Sequence, residues 1–101
     1  MIFIELSIYN KFLLMKNYLK KIENKLSDHL KLEELIIVDN THLHVKHKSF
    51  VPGKLHLHLK IKSQYLGSIS KISAQRLIMK VLKDDLKTSI HALEISINKQ
   101  V

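Results

Sequence analysis

Along Lys54–Lys62 (KLHLHLKIK) apolar and polar positions alternate without a fault. Leu55, Leu57, Leu59 and Ile61 fall on one side, and Lys54, His56, His58, Lys60 and Lys62 on the other. A period of two is the mark of a strand with one face buried. The period changes on either side of it. Leu19, Ile22, Leu26 and Leu30 recur every three or four positions, which predicts a helix from Met15 to about His29, weakened near its end by Ser27-Asp28. Ala74, Leu77, Ile78, Val81, Leu82 and Leu86 form a second, broader helical stripe, capped by Ser70 or Ser73 and ending near Thr88. Glu34–Asp39 (ELIIVD) is a β-branched run that reads as a strand buried on both faces or nearly so. Ile90–Ile97 alternates again, with His91, Leu93, Ile95 and Ile97 sharing one parity.

The predicted order is therefore α-β-β-α-β, an α+β domain whose three-stranded mixed sheet is covered on one face by helices. The first two strands should run antiparallel. Between them lie residues 40–53, a connection ending in Pro52-Gly53. A connection of this length in a small domain is usually functional or mobile.

Composition narrows the class. The chain has 101 residues, 46% hydrophobic and 26% charged, which suits one globular domain rather than a disordered chain. Residues 1–14 are apolar but interrupted by Glu5 and Lys11, and too short to span a bilayer. They read as an N-terminal extension: a start upstream of Met15, a degraded signal peptide, or an added strand or helix. No membrane anchor is implied, and a cytoplasmic monomer is expected. The net charge of +8 favours acidic partners, although its lysines are scattered and Arg76 is the single arginine.

With no cysteine, the chain has no disulfide, no catalytic thiol and no thiolate for a cluster of its own. Soft-metal chemistry here would have to use imidazole and borrow thiolates. Seven histidines are present, five of them between His42 and His58. His44-x-x-His47 could chelate a metal on a curled connection, and His42-x-His44 on an extended one, although all three also suit a polar surface. His56 and His58 share the lysine side of their strand, which reads as a solvated face or a weak nickel- or zinc-binding patch. His91, on the apolar parity, suggests a histidine at the core's edge more than a ligand. No nucleophile elbow, glycine-rich phosphate loop or His-Glu-x-x-His pair occurs. Asp84-Asp85 pairs two carboxylates in sequence, but adjacent helical side chains diverge, so a solvated helix face is expected.

Several pieces together resemble the BolA family. Val38-Asp39-Asn40-Thr41-His42-Leu43-His44 is similar to its signature of an acidic strand end and Ser/Thr before a loop His or Cys. Leu55-His56-Leu57 resembles its Thr-His-Phe strand entry, and Ser63 with Leu66 its Ser-x-x-Phe turn. Ile90-His91-Ala92-Leu93 resembles the Val-His-Ala-Leu motif that carries the family's histidine. The spacing from Leu55 to Leu93 matches without gaps, while the connection before it is longer. The resemblance covers roughly residues 16–97, within a domain taken as 15–101. It implies a fold like the class II KH arrangement, but the Gly-x-x-Gly loop that clamps nucleotides there is missing. Two features depart from the family: Ala74-Gln75-Arg76 stands where it usually has an Arg-His-Arg-like cluster, and the aromatic-containing tail of many members is lacking.

What the resemblance implies is a non-enzymatic partner of a monothiol glutaredoxin in iron–sulfur trafficking or iron and redox regulation. The two would share a [2Fe–2S] cluster, absent from the isolated chain, with thiolates from the glutaredoxin and from glutathione. His91 is the first ligand expected here and His44 the second, with His47 its substitute if the longer connection shifts register. Imidazole in place of thiolate raises a cluster's potential, and it binds only when unprotonated. The alternative is a nucleic-acid-binding transcriptional regulator of the stress-response type, with DNA its expected partner, contacting phosphates through Lys71, Arg76, Lys80 and Lys83. A histidine-rich interaction module without metal is the third reading.

Overall fold

The perfect alternation at Lys54–Lys62 becomes the central strand of the sheet. The computed structural model describes residues 2–41 and 54–99, with residues 2–12 and 14 as helix backbone only. Its elements are α1 (Ile2–His29), β1 (Glu34–Asp39), β2 (Leu55–Lys62), α2 (Gln64–Ser68), α3 (Lys71–Val81), α4 (Lys83–Thr88) and β3 (Ile90–Asn98). The sheet order is β1-β2-β3. β1 pairs antiparallel with β2 from Glu34↔Lys62 to Asp39↔Leu57. β3 pairs parallel with β2 on its other side. The mixed sheet and one-sided helical cover agree with the predicted fold.

The core lies between one sheet face and the helices. Leu55, Leu57, Leu59 and Ile61 of β2 are buried against Ile22 and Leu26 of α1 and Ala74 and Ile78 of α3, together with Leu82 at the α3–α4 junction. Each aliphatic side chain fully removed from water there is worth about 1.5–3 kcal/mol before entropy is counted. β1 differs from expectation. It is an edge strand that sends Leu35 and Ile37 toward the core but leaves Ile36 48% exposed, because no helix covers the second face.

The helices also differ from the expected pair. α1 begins at Ile2, well before Met15. The run 2–29 contains neither glycine nor proline, so nothing local ends the helix there. The second helical stripe divides at buried Leu82, and α4 opens with Asp84 and Asp85 in its first turn, where carboxylates favour the helix dipole. α2 was not expected as a helix. Ser63 caps it, its Oγ accepting from Leu66 N at 3.0 Å and donating to the Lys31 carbonyl at 2.7 Å. Ser70 is the cap of α3, accepting from Ser73 N at 3.1 Å.

Asp85 overturns the expected solvated face. It is buried, and accepts from the Tyr18 hydroxyl at 2.6 Å and from Lys25 Nζ at 2.7 Å. Both partners come from α1, one helical face crossing the start of α4. Burial pushes the Asp85 carboxyl up, but the Lys25 hydrogen bond, the Tyr18 hydrogen bond and the Lys25 charge together hold it below the usual carboxylate range. The Tyr18 hydroxyl is pushed up, first by burial and then by its bond to Asp85.

Candidate metal centre at one end of the sheet

Strand directions gather the chemistry at one end. The start of β2, the start of β3 and the end of β1 all lie there, because β2 and β3 are parallel and β1 is antiparallel to both. β3 enters that end directly from α4. The Ser89 amide donates to the Asp85 carbonyl at 2.9 Å, and the Ser89 carbonyl accepts from Leu55 N at 2.8 Å. Lys54 Nζ donates to the Thr88 carbonyl at 2.8 Å, meeting the negative end of α4.

The ladder then slips by one residue. Leu55 pairs with Ile90, but His56 pairs with Ala92, so His91 is the extra residue of a bulge. This corrects the parity reading. Ile90 is buried, His91 is exposed, and Leu93, Ile95 and Ile97 return to the core side. Alternation counted back from Leu93 puts His91 inside only if no residue is inserted. One inserted residue re-aims a side chain, a common use of bulges beside functional sites.

The freed ring meets His56. The two ring centroids lie 5.3 Å apart with the planes at 62°. The backbone of His56 is fixed by the residues after β1. Its carbonyl accepts from Asn40 N at 2.7 Å, and its amide donates to Thr41 Oγ at 3.1 Å. Asp39 in turn accepts from Thr41 N at 2.9 Å and from the Thr41 hydroxyl. The Asp-Asn-Thr run is thus a local turn that ties the beginning of the long connection to His56. His42, His44 and His47 lie outside the described residues.

His58 is two positions further along the open face. Its Nε2 pairs with Ser96 Oγ at 2.7 Å, and its Nδ1 lies 3.7 Å from Glu94 Oε2. Its cross-strand partners belong to β3, so it is not merely a solvated side chain. Among the described residues no group of three or more His, Cys, Asp or Glu side chains is placed to enclose a metal. What they supply is a pair of neighbouring imidazoles. His56, read from the sequence as part of a solvated face or a weak metal-binding patch, is half-buried beside His91, and that pairing depends on the bulge.

Lys71, Arg76 and Lys80 project from α3 and Lys83 from α4, all four exposed. They do not converge on a pocket, and Ile72, 62% exposed, and Met79, 50% exposed, lie among them. Among the described residues no helix is long and apolar enough to cross a membrane.

Comparison with known proteins places this geometry in context. The family model described as BolA-like protein matches residues 26–100. The chloroplastic protein BOLA1 of Arabidopsis thaliana is 29% identical over 80% of the chain, which spans 52% of that relative's length. The UV-induced protein uvi31 of Schizosaccharomyces pombe is also 29% identical, over 78% of this chain and 81% of its own. Among solved structures, the BolA domain of SufE1 from Arabidopsis thaliana superposes with a TM-score of 0.66 at 32% identity, covering 78% of this chain and 87% of that one.

Proposed function

The chain belongs to the BolA-like family, and from that premise we propose that it is a non-enzymatic partner protein sharing histidine ligation of a [2Fe–2S] cluster with a monothiol glutaredoxin. The observation that carries this reading is the bulge, which turns His91 out of the core into an exposed position beside a second imidazole. The donor set fits a shared cluster and not a self-contained one. The chain has imidazoles to offer and no cysteine, so the thiolates come from the glutaredoxin and from glutathione. Glutathione as a ligand needs a reducing compartment, and the cytoplasm is the one proposed.

His91 is the first ligand of this reading, and His44 or His47 its second. The cluster, when bound, supplies one-electron chemistry at a potential raised by imidazole ligation. The chain itself holds the ring of His91 at a fixed strand end, ties the connection to β2 through Asp39 and Thr41, and presents lysines to an acidic partner surface. Co-expression with a monothiol glutaredoxin, followed by visible absorption and circular dichroism, tests it. The hetero-complex spectrum is expected to be lost or remodelled in His91→Ala. An unaltered spectrum would remove His91 from the ligand set.

The regulator reading ranks second. The +8 charge and the exposed Lys71, Arg76, Lys80 and Lys83 support it, but exposed Ile72 and Met79 offer nothing to phosphate. Real phosphate contacts would give a steep fall of DNA affinity with salt, and no retardation at low salt would dispose of the idea.

A further inference from the structure

We propose that His56 and His91 form a two-imidazole chelate that binds one divalent zinc-class ion in the free chain, without glutaredoxin, iron or thiolate. Zinc–nitrogen bonds are about 2.0–2.1 Å, and a ring centroid lies roughly an ångström beyond its ligating nitrogen. Two imidazoles on one tetrahedral ion therefore have centroids about 5 Å apart. The observed separation of 5.3 Å matches that spacing, and with the planes at 62° the nitrogens converge on one ion once the exposed His91 ring turns.

The backbone beneath the pair is fixed before any metal arrives. His56 is held through its carbonyl and amide by Asn40 and Thr41. The bulge residue His91 follows the Ser89–Leu55 hydrogen bond and buried Ile90. What remains adjustable is the His91 ring, which is exposed and turns about its Cβ–Cγ bond without disturbing the core. Preorganisation of this kind reduces the ordering cost of binding. The chemistry favours a borderline ion such as zinc over magnesium or calcium, which prefer oxygen donors. With two protein ligands, the remaining positions are left to water or an exogenous donor.

The inference uses His91 in common with the proposed cluster but does not depend on that reading. It adds a consequence, since a ring bound to zinc is unavailable to iron. Zinc would then oppose cluster sharing by direct competition for His91.

The test uses the full chain alone, without a polyhistidine tag, titrated with zinc chloride by calorimetry and with copper(II) by electron paramagnetic resonance. One ion per chain is expected, with nitrogen hyperfine structure from two imidazoles. His56→Ala and His91→Ala should each weaken zinc binding about tenfold or more, and His56→Gln should do the same while keeping the side chain's bulk. His58→Ala, two positions further along the strand, should stay within about threefold of the parent. Far-ultraviolet circular dichroism verifies that each variant is folded. Absence of saturable binding overturns the proposal, as does unchanged affinity in folded His56→Gln. Either result leaves the glutaredoxin cluster, read by its own visible spectrum, to stand or fall separately.

Discussion

The two ends of the sheet are built on opposite principles. At the end where β2 runs into α2, polar groups are spent on the fold itself. The Ser63 amide donates to the Asn98 carbonyl at 3.0 Å, its hydroxyl serves both Leu66 N and the Lys31 carbonyl, and the Glu33 amide reaches the Lys62 carbonyl at 2.9 Å. Gly67 closes that end so tightly that an added Cβ would lie 2.6 Å from Lys99 Cβ. At the opposite end the backbone is equally well tied, by Asn40, Thr41 and Ser89, yet the imidazole of His91 is turned outward. A firm backbone under an exposed donor is what a binding site needs, whereas a firm backbone around a buried hydroxyl serves stability.

The sharpest way to break this contrast is at Ser63. Ser63 is buried, and Ser63→Ala removes both its N-cap to Leu66 N and its hydroxyl's hydrogen bond to the Lys31 carbonyl. A loss of about 2–3 kcal/mol is expected from the two hydrogen bonds. Urea denaturation measures it, and the glutaredoxin-dependent spectrum of the folded fraction should be unchanged. A loss below about half a kcal/mol would show that this end is not closed as described.

Asp85 lies behind the histidine end and links α1 to the start of β3. Asp85→Asn keeps an acceptor for Tyr18 but removes the charge opposite Lys25, for an expected cost of about 1–2 kcal/mol at neutral pH. The sign of its pH dependence follows from the lowered carboxyl. The ionised group contributes stability above the ordinary carboxylate value near 4, and that contribution disappears as the pH falls through the lower folded value. Denaturation curves of parent and variant should therefore converge in acid. A gap that widened on acidification would contradict the ion pair.

The uneven legibility of these features has a physical cause. The alternation of β2 was plain because a central strand with one buried face must obey it on every residue. The stripes of Ile22–Leu26 and Ala74–Ile78–Leu82 were equally clear, since each presents one face to one core. β1 was misread because hydrophobicity does not tell an edge strand from a central one, as exposed Ile36 shows. Asp85 was misread because its partners lie 60 and 67 positions away, beyond any local pattern. His91 failed for the smallest reason, a single inserted residue that inverts parity. The motif resemblance singled out His91 where periodicity pointed inward, and its pairing with His56 became visible only with the register. His44 and His47 lie outside the described residues and remain parts of the proposal.

Gly67→Ala asks how tight the closed end is. The new Cβ would meet Lys99 Cβ at 2.6 Å and Lys99 Cα at 2.9 Å, so the chain after β3 must shift. The expected cost is about 1 kcal/mol, at the low end for overpacking, because Lys99 follows the last strand and can move aside. Thermal denaturation should register it, and a neutral or stabilising result would mean the contact is loose.

His91→Ala should have the smallest effect on folding. The ring is exposed, and the bulge that positions it is fixed by its neighbours: Ile90 is buried and the His56–Ala92 pair resumes the ladder. A change in urea stability within about half a kcal/mol is expected, the usual range for surface substitutions. A loss of 2 kcal/mol or roughly more would instead make the histidine a structural member of the strand end, as its sequence parity first suggested. The measurement matters because it gives meaning to the cluster and zinc experiments. If the variant keeps its stability and loses a ligand, the imidazole was present for the metal rather than for the fold.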